Sequence, residues 1–197
     1  CYQCDNVTIR NLTFSHLLTG MELLNSDNCN LKNLTLSSNN IGLSLDWTYR
    51  TNMTDLNVSS NDGYGIRLLD ESMYNILSSS SIMGNGYNGG LEFGSLATQN
   101  TIYNNIFNNT KSVSDPSTGP GNIWNLTKTP GTNIIGGAYL GGNSWGDYNG
   151  TDINGDGLGD TFVPYDNLGN ITFGGDWLPL TGAGSAPAAG FTTNVTT

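Results

Sequence analysis

The chain is predicted to be all-β: a single-stranded parallel β-helix, a solenoid of about five to six rungs closed by an irregular C-terminal cap. Three observations predict it. A phrase of glycine, apolar, polar, apolar returns as Gly20-Met21-Glu22-Leu23, Gly42-Leu43-Ser44-Leu45, Gly65-Ile66-Arg67-Leu68 and Gly90-Leu91-Glu92-Phe93, at spacings of 22, 23 and 25 residues. A second series, Ile9, Leu31, Met53, Ile76 and Ile102, keeps step with it, and Leu12/Phe14, Leu34/Leu36 and Leu56/Val58 follow its first three members. No helical periodicity interrupts either series. The alternation inside each phrase is the period of a strand. A fixed offset between phrases stacks like residues about 4.8 Å apart on successive rungs, which antiparallel sandwiches do not require.

Residues 1–27, 28–50, 51–73 and 74–98 each carry one rung, and a fifth begins at Gln99 with Ile102, Ile106 and Phe107. Their expected interior is Leu12, Phe14, Met21, Leu23, Leu34, Leu36, Leu43, Leu45, Leu56, Val58, Ile66, Leu68, Leu91 and Phe93, with Ser44 facing out. Asn is frequent at the corners, where it tolerates left-handed backbone angles and bonds to neighbouring rungs. Residues 111–121 bring Asp115-Pro116 and Gly119-Pro120 and read as an inserted loop. Strand character resumes at 122–127 and 132–135, so the rung domain spans 1–135. Residues 136–180 are rich in Gly-Gly pairs and include Trp145 and Trp177, which together with Trp124 suit a cap over the open end of the coil. Residues 181–197 read as a linker running into the possible first strand of a following domain.

Composition limits the function. Of 197 residues only 11% are charged, the net charge is −10 and Lys plus Arg number six, so nucleic acid is excluded as a partner. No apolar run is long enough to span a bilayer. With neither an initiator Met nor a signal peptide, and Cys1 almost inside a rung, the chain is expected to be a processed piece of a longer precursor. Ten Asn-x-Ser/Thr sequons suit an exported glycoprotein. Asn6, Asn52, Asn57, Asn108, Asn125, Asn149, Asn170 and Asn194 are the glycosylation candidates. Asn11 and Asn33 stack one rung apart and read instead as a corner ladder.

The rung pattern, the run Asn122 to Gly137, the Leu140-Gly-Gly-Asn-Ser-Trp145 segment and the stretch Asp152 to Asp160 together resemble NosD-type right-handed β-helix repeat proteins of archaeal cell surfaces. The tail from Ala186 to Thr196 is similar to the opening strand of a polycystic-kidney-disease-type repeat. The resemblance implies an extracellular location, and some members of the family are labelled periplasmic copper-binding. The residues do not point to copper: His16 is the only histidine, and Met21, Met53, Met73 and Met83 are dispersed, two of them at core positions.

Asp152-Ile-Asn-Gly-Asp-Gly-Leu-Gly-Asp160 is the sharpest local motif. Asp152, Asn154, Asp156 and Asp160, with the Leu158 carbonyl, have the ligand spacing of an EF-hand-type calcium loop, so structural calcium is the expected cofactor. Val163 stands where a bidentate Glu would complete the set, and Asp147, Asp166 or water would have to supply the rest. A plain Asp/Gly turn is the competing reading. Elsewhere Asp46, Asp70 and Glu71 fall on one corner of adjacent rungs, a possible acid pair for sugar cleavage, while Arg10 and Lys32 form the one stacked basic pair. Acids at corners are usually solvated, and no catalytic residue is assigned.

Cys29 stacks on Val7 at an inward position and Cys4 is out of step with it, so Cys1, Cys4 and Cys29 leave at least one cysteine unpaired within the chain. The resulting expectation is a non-enzymatic extracellular structural protein, a subunit of an archaeal coat such as a sheath, surface layer or filament. Other copies of the chain would be its partners, with cell-surface glycans a further possibility. Contact would be at residues 1–30, through a disulfide at Cys1 or Cys4 or a strand added from Phe191 to Val195. The alternative is a carbohydrate-binding or polysaccharide-cleaving β-helix protein.

Overall fold

The structure, a computed structural model, describes residues 1–182. The expectations for Asn194, for the added strand Phe191 to Val195 and for the start of a following domain lie outside the described residues. Within them the chain is a parallel β-solenoid. Its first rung holds β1 (Thr8–Ser15) and β2 (Thr19–Leu24), the second β3 (Asn30–Ser37) and β4 (Ile41–Asp46). The third holds β5 (Asn52–Thr54), β6 (Asn57–Ser59) and β7 (Tyr64–Leu69), the fourth β8 (Ile76–Ser78), β9 (Ser81–Met83) and β10 (Gly89–Phe93). The fifth holds β11 (Thr101–Tyr103), β12 (Ile106–Asn108) and β13 (Val113–Ser114). Three two-residue strands follow: β14 (Thr129–Pro130), β15 (Tyr139–Leu140) and β16 (Ser144–Trp145).

The glycine phrases form a five-stranded parallel sheet in the order β13-β10-β7-β4-β2. The second series forms a nine-stranded parallel sheet, in which β3 is continued in the next rung by both β5 and β6. The break between those two is a corner. Asn11, Asn33, Asp55, Ser79 and Asn104 stack there, all with φ between 51° and 59°. Three more such columns turn the rung: Gln3/Asn25/Trp47/Asp70, Asn6/Asn28/Arg50/Tyr74/Gln99 and His16/Ser38/Ser60/Gly84. Left-handed backbone suits Asn and Gly but disfavours Trp, Arg and Tyr, so the stack imposes the conformation on whatever residue falls in register.

The residue after each left-handed corner often turns inward, and where it is Asn its amide bridges rungs. Asn39 donates to Asn61, Asn61 to Asn85 and Asn85 to Asn109 at 3.1, 2.8 and 3.1 Å. Asn75 donates to Asn100 and Asn100 to Asn122, both at 3.0 Å. These buried amides satisfy backbone groups that the corners leave unpaired. The phrase glycines make room for the first column: a Cβ at Gly65 would lie 2.5 Å from the Gly90 carbonyl and 2.9 Å from Asn85 Nδ2.

The expected interior is correct in phase, with Leu23, Leu36, Leu43, Leu45, Val58 and Ile66 fully buried. Leu12 stacks on Leu34 as expected, yet it is 48% exposed because no rung lies above it among the described residues. Phe14 is half-buried for the same reason. Ser44 corrects the expectation of an open outward position: it sits between Glu22 and Arg67 in the outer ladder and is only 6% exposed. The second series also needs one correction. Leu77, not Ile76, follows Met53 into the interior, and Ile76 faces out; a one-residue slip of register exchanges the two faces of a strand.

The region read as an inserted loop begins in register. Val113 is buried and pairs with Leu91, because Ser112-Val-Ser-Asp115 takes the place of a glycine phrase at a 22-residue offset. Asn122 and Ile123 rejoin the column of Asn100 and Thr101. Residues 132–135, expected as a strand, form instead the tip of an antiparallel excursion made by β14 and β15. The coil then resumes: Ser144 and Trp145 pair with Ile106 and Phe107, so the rungs extend past 135 into the segment expected to be cap. Trp145 stacks on Phe107 at 4.8 Å and contacts Trp124 and Tyr165 at 5.9 and 5.2 Å, closing the core with aromatic rings. Trp177 takes no part in that closure and is 57% exposed.

Candidate functional site

Three arrangements could carry chemistry, and the first is the acidic loop. Asp152 Oδ1 accepts from the Gly155 N–H at 2.7 Å and Oδ2 from Gly157 at 2.7 Å. Asp160 Oδ2 accepts from Ile153 at 2.7 Å, while its Oδ1 accepts from Asn154 Nδ2 at 3.2 Å. Asp156 accepts from the Leu158 N–H at 2.8 Å and from the Lys128 ammonium at 2.5 Å. Burial works to raise the Asp156 carboxyl, but Lys128 and the Leu158 N–H outweigh it and hold it below its ordinary value. The loop therefore folds its oxygens onto its own backbone and onto Lys128. Among the described residues no three His, Cys, Asp or Glu side chains converge as a metal-binding group. Asp147 and Asp166, considered as further ligands, lie with Tyr165 instead: the Tyr165 hydroxyl donates to Asp147 Oδ1 at 2.6 Å, and both carboxylates act on its ring hydroxyl.

The second arrangement is the acid pair. Asp46 ends β4, and Asp70 lies one rung below at the corner that also holds Trp47. Burial pushes the Asp46 carboxyl up to about 6, reinforced by the hydrogen bond it shares with Asp70 and by the charges of Asp70 and Glu22; Arg67 opposes the shift. Among the described residues Asp46 Oδ1 has no hydrogen-bond partner. Glu71, named with this pair from the sequence, turns away to accept from the Tyr49 hydroxyl at 3.3 Å. Arg10 and Lys32 do stack, but Lys32 faces Asp55 at 3.6 Å and lies on β3, in the other sheet from the β4 that Asp46 ends.

The third is the set of sulfur and nitrogen atoms. Cys1 and Cys4 form a disulfide within the chain, while Cys29 is buried and free. The expected intersubunit bond through Cys1 or Cys4 is thereby corrected, since Cys1 to Cys4 closes a short local loop. Met21 and Met53 fill the core, His16 is exposed at a left-handed corner, and Met83 faces solvent from β9. These soft donors occupy different faces and rungs. Among the sequons, Asn33 Nδ2 donates to Asn11 Oδ1 at 2.8 Å, so those two form the expected ladder. Asn6, Asn52, Asn57, Asn108 and Asn149 are exposed, and Asn125 and Asn170 half-buried.

What sequence reading missed is a cleft in the cap between Tyr148 and Tyr165, built by segments 147–149 and 162–168. Only folding brings those segments together, and no spacing signals it.

With this geometry established, comparison with known proteins is brief. A protein-family model described as NosD, periplasmic copper-binding protein, matches residues 1–150. No curated protein and no solved structure matches the chain. The copper of that description would need soft ligands that converge, and the dispersed His16, methionines and Cys29 do not fit it.

Proposed function

The chain belongs to the NosD family, and from that premise we propose that it is a non-enzymatic structural protein of the cell exterior that assembles with copies of itself into a coat of the archaeal sheath, surface-layer or filament kind. The family's periplasmic description agrees with a place outside the cytoplasm. Among the described residues no helix is long and apolar enough to cross a membrane.

The observation that carries this reading is the first rung. Among the described residues strand β1 pairs on one side only, with β3, and the same end exposes Tyr2 at 61%, Leu12 at 48%, Leu17 at 46% and Leu18 at 78%. An unpaired parallel edge beside apolar side chains is a template for another rung. A second copy is the proposed occupant. Because Cys1 pairs with Cys4, assembly is by stacking, and reducing agent is not expected to release subunits. Analytical ultracentrifugation of the chain and of a Leu18→Asp variant tests this: concentration-dependent oligomers that Leu18→Asp disperses support it. A monomer at high concentration, or an oligomer indifferent to that change, overturns it and leaves the edge to rungs of the same precursor.

Calcium belongs to this proposal as a separate element. The spacing Asp152, Asn154, Asp156, Leu158, Asp160 supports it, and Lys128 would have to leave Asp156 for the ion to enter. Added calcium should then protect residues 147–165 from protease; indifference to both calcium and chelator rules it out.

One observation favours a second reading, cleavage of polysaccharide. Asp46, its carboxyl pushed up to about 6, lies beside Asp70 on a single corner next to Trp47, the kind of carboxyl pair that sugar cleavage uses. Release of reducing sugar that disappears in Asp46→Asn and Asp70→Asn would establish it.

A further inference from the structure

The cap cleft has a volume of about 470 Å³, within the range of small-ligand sites. Tyr148, Tyr165, Phe162 and Pro164 provide its apolar and aromatic surface, and Asp147 and Asp166 its charge. Two features set it apart from an ordinary surface hollow. Phe162 and Leu168, at its rim, are 75% and 79% exposed and have φ of 53° and 57°. Bulky side chains rarely adopt that backbone region, so two apolar groups are held in solvent against both solvation and backbone preference. The two tyrosine hydroxyls of the cleft are also already spent. The Tyr148 hydroxyl donates to the Thr161 carbonyl at 2.5 Å and the Tyr165 hydroxyl to Asp147 at 2.6 Å. Burial, then the Asp147 hydrogen bond, keeps the Tyr165 hydroxyl protonated well above its ordinary range.

The remaining capacity is mainly for accepting, with the exposed Asn149 side-chain amide as the remaining side-chain donor. The carboxylates retain free lone pairs, aromatic rings border the space, and among the described residues no Lys or Arg lines the cleft. A neutral sugar needs donors as well as acceptors from its site, because each hydroxyl both gives and takes a hydrogen bond. An organic cation on an apolar stem is matched by this lining: carboxylates for its charge and aromatic side chains for its flanks. We propose that the cleft formed by Asp147, Tyr148, Phe162, Tyr165 and Asp166 binds an organic cation, an alkylammonium or guanidinium group carried on an apolar stem. It is separate from the acidic loop at 152–160 and from the Asp46–Asp70 pair, and the inference stands whether or not the chain polymerises.

The test is an NMR titration of the full chain with tetramethylammonium, with N-acetylarginine amide, with glucose and with calcium chloride. Saturable shifts at the Tyr148, Phe162 and Tyr165 rings with either cation are expected, weakened about tenfold in Phe162→Ala and in Asp166→Asn. Both variants alter exposed side chains, and an unchanged melting temperature would confirm that they fold. Binding of arginine amide alone would identify the source as a basic side chain of another protein, and binding of tetramethylammonium alone a free or lipid-borne ammonium. Binding of glucose or calcium without either cation, cation shifts that persist in both variants, or no saturation by any cation would overturn the proposal.

Discussion

Asn143 donates its backbone N–H to Asp176 Oδ2 at 2.7 Å, one step below the point where Asn105 donates its own N–H to Asn143 Oδ1 at 3.1 Å. The carboxylate thus ends a polar column that would otherwise leave a rung of backbone donors bare. It also accepts from Trp145 Nε1 at 2.9 Å and from the Leu178 N–H at 3.0 Å. A second column ends the same way, with Asn122 Nδ2 donating to Asp115 Oδ2 at 3.1 Å.

Replacing Asp176 with Ala should be among the most damaging single changes in the cap. It leaves three buried donors without an acceptor and should cost about 2 to 5 kcal/mol. Asp176→Asn keeps one accepting oxygen and should cost less. Equilibrium denaturation followed by tryptophan fluorescence would show it, since Trp145 reports directly; equal loss in both variants would contradict the column's role.

Core truncation should depend on position along the coil. Leu45, buried with neighbours in register above and below, should cost about 2 to 5 kcal/mol as Leu45→Ala. Leu12→Ala, in the half-open first rung, should cost well under that in the monomer, because part of the side chain is already in water. Similar losses at the two sites would mean that the first rung is covered in solution.

Gly65→Ala should be destabilising although the new group is only a methyl. Its Cβ would press on the Gly90 carbonyl and on the Asn85 amide, and neither can move without breaking a rung contact. A loss of about 1 to 3 kcal/mol is expected. Gly84→Ala meets nothing within 4 Å among the described residues and provides the comparison, its cost being only that of a left-handed backbone.

The Asp46 carboxyl gives a pH dependence of known sign. Its value is near 6 folded against 3.8 for the free group, so between those limits the native chain binds more proton than the unfolded one. This group therefore favours folding increasingly as pH falls through 6 toward 4. Asp46→Asn should raise the melting temperature at pH 7 to 8, and its advantage should shrink below pH 5. A gap between the two proteins that does not change with pH would show that Asp46 is not the group responsible.

How much of this was legible before folding depends on whether a feature repeats. The rung length, the strand phase, the glycine and asparagine columns and the buried place of Cys29 under Val7 all follow from one phrase recurring at 22 to 25 residues, because a period-2 strand stacked at a fixed offset places like on like. Two departures lie within the repeat itself: Leu77 in place of Ile76 is a slip of one residue, and Ser112-Val113 keeps the register without the phrase's glycine. The tertiary structure alone decided what happens once per chain. Cys1 pairs with Cys4, Asp147 accepts from Tyr165, Lys128 reaches Asp156, and segments 147–149 and 162–168 meet to form a cleft. No periodicity encodes those contacts. They arise outside the regular stack, at its first rung and in the cap, where an irregular path brings side chains together, a condition set by packing in space and not by spacing along the chain.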